Sequence, residues 1–275
     1  MPLSVSIICK NNQASIGRTL ASVSGLADEI VAVDSGSTDG TIAMLEAANA
    51  RIVHSPWLGY VRTKQLALDE CRGDWILSLD SDESLLPDLA ESVRAVMRIN
   101  DPAVAGYRVN RRVFYRDRPL RFAWQPEWRL RLVRKGRAKW GGLDPHDGLE
   151  MIDGGCIENL NGDLRHDSFP SFSEWLPKAT GHARLSAQTN FAAGRRSGYA
   201  SLLFSPPAAF LKQLVLKQAW RDGWPGWLAA GSVAAYVLMK HMVLIELEKT
   251  RDDGAMQEGT AEAARKRDDL TGGKA

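Results

Sequence analysis

An α/β fold built on a mostly parallel sheet is predicted by three apolar strands that each end in polar residues and are separated by helix-length segments. The strands are Leu3–Cys9, followed by Lys10-Asn11-Asn12; Glu29–Asp34, which runs into Ser35-Gly36-Ser37-Thr38-Asp39-Gly40-Thr41; and Asp74–Leu79, which runs into Asp80-Ser81-Asp82-Glu83. Ligands of such sheets bind beyond the carboxyl ends of the strands, so Asp34, Asp39, Asp80 and Asp82 are expected along one rim.

The connecting elements follow in order. Ser15 to Ser24 and Thr41 to Ala48 carry helical spacing and complete two βα units. Arg51–His54 reads as a short strand, and Val61 to Cys71 as the helix that leads to the strand before Asp80. Pro87 opens the next helix, which runs to about Ile99; proline suits the first turn because it has no N–H to lose. Gly106–Val113 and Trp128–Val133 alternate as strands, whereas 114–127 and 140–170 are rich in Gly, Pro, Asp and Asn and read as loops. From Phe172 to about Lys249 the spacing is helical. The expected organisation is a catalytic α/β domain over 1–170, a helical region over 171–249 and a frayed or disordered tail over 250–275.

Carboxylates clustered at a strand end are hard oxygen ligands. Asp80 and Asp82 are therefore expected to hold Mg²⁺ or Mn²⁺ together with a diphosphate, since these ions commonly take one or two carboxylates plus substrate phosphates. A calcium loop of the EF-hand kind fails here. Leu85 stands at the sixth position, where the turn needs glycine, and the flank is a strand. Asp39 is expected to cap the helix that follows it. Lys64, on the helix before this strand, faces either the phosphates or solvent.

These residues resemble the family 2 glycosyltransferases, whose GT-A fold opens with a strand, a V-D-x-G-S-x-D-G-T loop and a strand-terminal D-x-D. The likeness is closer to the bacterial lipopolysaccharide-core branch. It lies in Ala27 to Asp39, Gly73 to Glu83, Asn110-Arg111-Arg112, Trp128 to Arg134, Pro145-His146-Asp147, Gly162 to His166 and Ala209 to Lys212, and spans roughly residues 3 to 245. The resemblance implies a Rossmann-like, mostly parallel sheet with a C-terminal membrane-associating helical extension. It implies transfer of a hexose, with inversion, from a nucleoside-diphosphate sugar such as UDP-glucose to a lipid-linked saccharide such as lipopolysaccharide core. Lys10, Asn11, Asp34 and Gly36 match the donor-binding residues, although Asn12 replaces the usual glutamate. Asp147 takes the place of the base and Glu127 is the runner-up. His146 and His166 either complete the metal shell or are buried or capping histidines.

Charge is unevenly spread. The net charge is only +2, but Arg108 to Lys139 holds twelve Lys/Arg against Asp117 and Glu127, with Trp124, Trp128 and Trp140 interleaved or adjacent. That pattern suits nucleic acid, or a phosphorylated glycolipid at an anionic membrane surface, or simply solvated strand faces; nucleic acid is not expected. The three cysteines form no C-x-x-C, which points to reduced, buried thiols and to cytoplasmic residence, and the N-terminus shows no secretory signal.

Trp227 to Met239 is thirteen residues without a charge, interrupted by Lys240 and His241. This falls short of the ~20 apolar residues of a spanning helix. With Trp220, Trp224 and Lys212, Lys217 and Arg221 nearby, an interfacial helical hairpin on the cytoplasmic face is expected, a dimerising helical pair being the alternative.

Other function classes fare less well. A nucleotidyltransferase or another nucleotide-binding α/β enzyme would need a Gly-rich phosphate loop, yet residues 9 to 19 offer only Gly17. A non-catalytic nucleotide-sugar binder would bind UDP-sugar without turnover.

Overall fold

The computed structural model of the 275-residue chain describes residues 1–143, 146–167 and 171–271, the side chains of Leu143, His146 and 252–271 excepted. The elements are β1 (Leu3–Cys9), α1 (Gln13–Val23), β2 (Glu29–Asp34), α2 (Thr41–Ala47), β3 (Arg51–His54), α3 (Tyr60–Asp69), β4 (Trp75–Asp80), β5 (Glu83–Leu85) and α4 (Pro87–Ile99). Then come β6 (Val104–Tyr115), β7 (Arg118–Pro119), β8 (Trp128–Arg134), β9 (Ala138–Leu143), β10 (His146–Met151), β11 (Cys156–His166), α5 (Phe172–Ala192), α6 (Tyr199–Leu211) and α7 (Trp224–Thr271).

The main sheet runs β3-β2-β1-β4-β8-β6-β11-β5. Its first four strands are parallel and flanked by helices, as expected, and their register aligns the carboxyl ends: Cys9 lies opposite Asp34, Asp34 opposite His54, and Ile8 opposite Asp80. β1 is buried along its whole length because helices cover both faces, which is why it reads as a continuous apolar run. α1 buries Ile16, Thr19, Leu20 and Val23, one stripe at helical spacing. α4 starts on Pro87, buries Leu89, Ala90 and Val93, and ends on Asn100 in the left-handed region at φ 48°.

The second half of the sheet is mixed. β8 pairs antiparallel with β4 and β6, β11 runs parallel to β6, and β5 closes the edge antiparallel to β11. Residues 140–170, expected as loops, contain three strands instead. Their glycines and polar residues hide the local pattern, and distant pairing supplies the order: β11 lies on β6 and β5, and β9 pairs with β10 in a separate hairpin. The hairpin is pinned to α3 where Trp140 N–H donates to Gln65 Oε1 at 2.7 Å.

The C-terminal helices dock on the loop between β7 and β8. Asp222 accepts from the backbone N–H groups of Arg121, Phe122 and Ala123 at 2.8, 3.0 and 2.8 Å, and Lys217 Nζ donates to Gln125 O at 2.9 Å. An apolar cluster of Val113, Tyr115, Leu120, Ala123, Ala219 and Ala229 fills the space between them. Lys240 and His241 do not end the last helix: Trp224–Arg251 is 28 residues long and holds an 18-residue window of mean hydropathy 1.7, long and apolar enough to cross a membrane by length and composition. The expectation of a run too short to span came from counting uncharged residues, whereas a helix accommodates isolated polar side chains within its length.

Gly162 occupies a bulge in β11 at φ +91°, and a Cβ there would overlap the Leu89 backbone nitrogen at the start of α4. Gly162→Ala is expected to lower stability by about 1–3 kcal/mol or more, from backbone strain and overpacking together. A thermal-unfolding midpoint unchanged from wild type would contradict this.

Candidate active site

The carboxyl ends of β1 and β2 form one wall. Asp34, 2 % exposed, accepts from Gly36 N–H at 3.0 Å and from the Ser37 backbone N–H and hydroxyl. Burial opposes its charge, but these hydrogen bonds outweigh burial and hold its carboxyl below the usual range. The tight approach of Gly36 requires its φ of +89°, which glycine adopts freely. Asn11 stitches β1 to this loop: its N–H donates to Ser37 Oγ at 2.9 Å and its Oδ1 accepts from Thr38 N–H at 2.8 Å. Lys10 is exposed beside it. Asp39 links two helix starts, accepting from Thr41 N–H at 3.0 Å and Gln13 N–H at 3.1 Å.

At the end of β4 the sequence turns sharply. β5 leaves β4 for the far edge of the sheet, and Glu83 reaches back under Asp80, whose N–H donates to Glu83 Oε2 at 3.0 Å. Glu83 is fully buried and accepts from Arg131 Nη2 at 2.7 Å, with Arg111 Nη1 at 3.4 Å. Arg131 also meets Asp80 Oδ2 at 3.1 Å. Burial opposes ionisation of Asp80, but Lys64 and Arg131 prevail and hold its carboxyl far below the ordinary range.

Lys64 joins two distant parts of the chain. Its Nζ lies 2.7 Å from Asp80 Oδ1 and 2.8 Å from Asp147 Oδ2, with its side chain 8 % exposed. The ammonium also sits 4.6 Å from the centroid of the Trp140 ring. Burial disfavours the ammonium, yet the two carboxylates outweigh it and raise its pKa above the ordinary value. Lys64 therefore faces the carboxylates rather than solvent.

Glu127 has a different environment. Arg111 grips both its oxygens, at 3.1 and 2.6 Å, and Arg129 adds a contact of 2.7 Å. Burial raises its pKa, but the two guanidiniums overcome that and bring it down to about 2.

Asp82 lies near the opposite edge. His166 Nε2 is 3.6 Å from Asp82 Oδ2, and His166 Nδ1 is buried without a hydrogen-bond partner. A carboxylate oxygen in the turn before β5 and an unsatisfied imidazole at the end of β11 fit a divalent cation chemically. Among the described residues no three His, Cys, Asp or Glu stand together as a cage, so substrate oxygens would have to complete the shell. The His146 side chain lies outside the described residues.

A cavity of about 440 Å³ is lined by Lys64, Asp80 and Asp147 and continues past Arg111, Arg129 and Arg131. Glu83, Arg111 and Arg131 were not expected at the site. The signal for Arg131 was present in Trp128-Arg129-Leu130-Arg131: a charge at alternate positions of an inner strand must find a buried partner. The thiols divide as well. Cys9 and Cys71 are buried, with pKa values pushed by burial to about 12, but Cys156 is exposed, contrary to the expectation of buried thiols, because it opens β11 at the protein surface.

Comparison with known proteins places the chain in a family. The profile of Glycosyl transferase family 2 matches residues 4–151. The lipopolysaccharide core biosynthesis glycosyltransferase LpsC of Rhizobium meliloti (strain 1021) is 32% identical over 250 residues, covering 87% of this chain and 90% of that protein. An uncharacterized glycosyltransferase, RP128, of Rickettsia prowazekii (strain Madrid E) is 27% identical over 260 residues, 91% of this chain and 87% of its own. Among solved structures, glucosyl-3-phosphoglycerate synthase from Mycobacterium tuberculosis, in complex with Mn²⁺, UDP and phosphoglyceric acid, aligns with a TM-score of 0.34 at 26% identity. That alignment covers 42% of this chain and 43% of the synthase, so the chain spans less than half of that protein's length. With the profile covering the strands that carry Asp34, Asp80 and Asp147, and a relative matched over most of both chains, this protein belongs to glycosyl transferase family 2.

Proposed function

We propose that the protein is an inverting, metal-dependent hexosyltransferase that moves a sugar from a UDP-hexose such as UDP-glucose to a lipid-linked saccharide. The observation that carries this reading is the convergence of Asp80 and Asp147 on Lys64 inside one cavity. A strand-terminal carboxylate for the diphosphate and a second carboxylate for the acceptor are thereby set side by side. The similarity to LpsC supports a lipopolysaccharide-core saccharide as the acceptor class.

Asp34, Asn11 and Gly36 shape the wall for the nucleoside, with Lys10 at its rim. Asp80 and Asp82, with His166 beside Asp82, would hold Mg²⁺ or Mn²⁺ on the diphosphate. The bound cation supplies charge neutralisation for the departing nucleoside diphosphate. Asp147 takes the proton of the acceptor hydroxyl as that oxygen bonds to the anomeric carbon and the bond from carbon to the diphosphate oxygen breaks on the opposite face. Lys64 orients Asp147 and presents its ammonium to the same place. Glu127, clamped by two arginines with a pKa of about 2, is a poor proton acceptor, which favours Asp147 as the base.

The C-terminal surface supports membrane contact. Leu211, Val215, Leu216, Trp220, Trp224 and Trp227 are all exposed, between 52% and 76% of their full area, and Lys212 and Arg221 are exposed among them. An apolar face of this size rimmed by cations suits anionic lipid on the cytoplasmic side, with indoles at headgroup depth.

Four outcomes are expected. Asp82→Ala abolishes transfer and removes the Mn²⁺-dependent part of UDP binding in calorimetry; wild-type turnover with added Mg²⁺ or Mn²⁺ would overturn the reading. Asp147→Asn keeps donor affinity and loses roughly 10²–10⁴-fold in kcat. Glu127→Gln instead loses stability. An ionised Glu127 stabilises the fold above the ordinary glutamate value of about 4.3, and that contribution disappears as pH falls through its folded value of about 2. The gap in melting temperature between wild type and Glu127→Gln should therefore be full at neutral pH and close under acid. Finally, the full-length protein sediments with vesicles containing anionic lipid and needs detergent for complete release. A protein left wholly in the supernatant at low salt would refute membrane contact.

A further inference from the structure

α7 is long enough to cross a bilayer, but its neighbours decide how it can meet one. α5 and α6 each pack along it and scarcely touch each other. α6 runs antiparallel to α7: the Ser197 hydroxyl at its head lies 2.8 Å from His241 Nδ1, and the Phe210 ring near its end lies 6.3 Å from the Trp227 ring. α5 runs in the same direction as α7, with Thr180 Oγ1 3.4 Å from Met239 Sδ and the Arg251 guanidinium 5.5 Å from the Phe191 ring.

The two flanking helices show different surfaces. α5 exposes Glu174, Lys178, His182 and Arg184. α6 exposes Tyr199, Leu203, Phe204 and Leu211, between 56% and 73% of their full area. α7 adds Trp224, Trp227, Leu228, Leu238 and Met242, which fall within about 100° of arc at 3.6 residues per turn. A helix that is apolar outward on one stripe suits an interface rather than a lipid environment on all sides. Charge points to the same partner. Residues 175 to 245 hold eight Lys/Arg against Asp222 alone, and Asp222 is taken up by three backbone N–H groups. Such a balance complements anionic lipid.

Crossing conflicts with α5. Met239 stands near the middle of Trp224–Arg251, so a spanning α7 would set it close to the bilayer centre. Lys178, His182 and Arg184 lie within about 6 Å of the Thr180–Met239 contact along the axis, at 1.5 Å per residue. Lys240 follows Met239 directly. A span would carry these side chains to the depth where charge is least tolerated.

We infer that α6 and α7 lie flat in one leaflet of anionic lipid, with Tyr199, Leu203, Phe204 and Leu211 entering the acyl boundary beside Trp224 and Trp227, while α5 stays in water and α7 does not cross. This rests on the membrane contact proposed above and adds its orientation. The test introduces Leu203→Cys, Arg184→Cys and Thr250→Cys one at a time into full-length protein carrying Cys156→Ser, whose remaining thiols, Cys9 and Cys71, are buried. Each variant is mixed with sealed vesicles of phosphatidylglycerol and phosphatidylcholine, floated, and treated from outside with a membrane-impermeant maleimide. Vesicles should slow labelling of Leu203→Cys by about tenfold or more, because the reacting thiolate is disfavoured away from water. Arg184→Cys and Thr250→Cys should label from outside as they do without lipid. Labelling of Thr250→Cys only after detergent shows that α7 crosses, which overturns the flat orientation and keeps membrane contact. Unslowed labelling of Leu203→Cys on floated protein, or protection of Arg184→Cys, overturns it as well. Protection of Leu203→Cys without vesicles, rising with protein concentration, gives the face to a second copy of the chain instead. Protein that does not float with the vesicles overturns membrane contact and orientation together.

Discussion

The carboxylate of Glu83 is sealed beneath the end of β4 with no exposed surface, and the geometry of the catalytic rim follows from how that charge is satisfied. A buried carboxylate is tolerable only when paired and hydrogen-bonded. Glu83 achieves this by taking the Asp80 N–H on one oxygen and Arg131, with Arg111, on the other. Arg131 in turn reaches Asp80, and Arg111 reaches Glu127. The strand-terminal aspartate is thus held from below by its own backbone and from the side by a guanidinium that cannot move without stranding Glu83. Four strands, β4 and β5 with the more distant β6 and β8, are locked together by one charge network.

That network also separates two carboxylates that look alike in sequence. Asp147 and Glu127 each follow a proline within two residues in the sequence, but the fold gives them unlike neighbours. Glu127 lies between two arginines and is fixed as an anion. Asp147 is 10% exposed, shares an ammonium with Asp80, and borders the cavity. Held as an anion by two arginines, Glu127 is a poor proton acceptor, whereas Asp147 stands in the cavity wall.

Asp222 plays the corresponding part for the C-terminal helices. Three consecutive backbone N–H groups of the loop before β8 converge on its carboxylate, and the apolar cluster around Ala123 and Ala219 seals the joint. The loop that precedes the arginine-bearing strand is therefore anchored to the segment that exposes Trp220, Trp224 and Trp227. A surface bound through those rings would sit at a defined position relative to the cavity mouth, a suitable arrangement for an acceptor attached to lipid.

Much of this was legible in the amino-acid order because it is local. Parallel strands buried on both faces announce themselves as apolar runs, and the polar residue ending each run marks the rim; Asp34, Asp80 and Asp82 follow from that alone, as does Pro87 at the first turn of α4. The pairing of Lys64 with Asp147 bridges 83 residues, and that of Asp222 with Phe122 bridges 100. No periodicity records such contacts. β9, β10 and β11 were hidden for the same reason: their glycines weaken the local strand pattern, and their order comes from partners far along the chain. Residue types and strand ends determined where charge could gather. Only the tertiary structure decided which charges meet, because a buried ion is stabilised by whatever partner the fold brings to it.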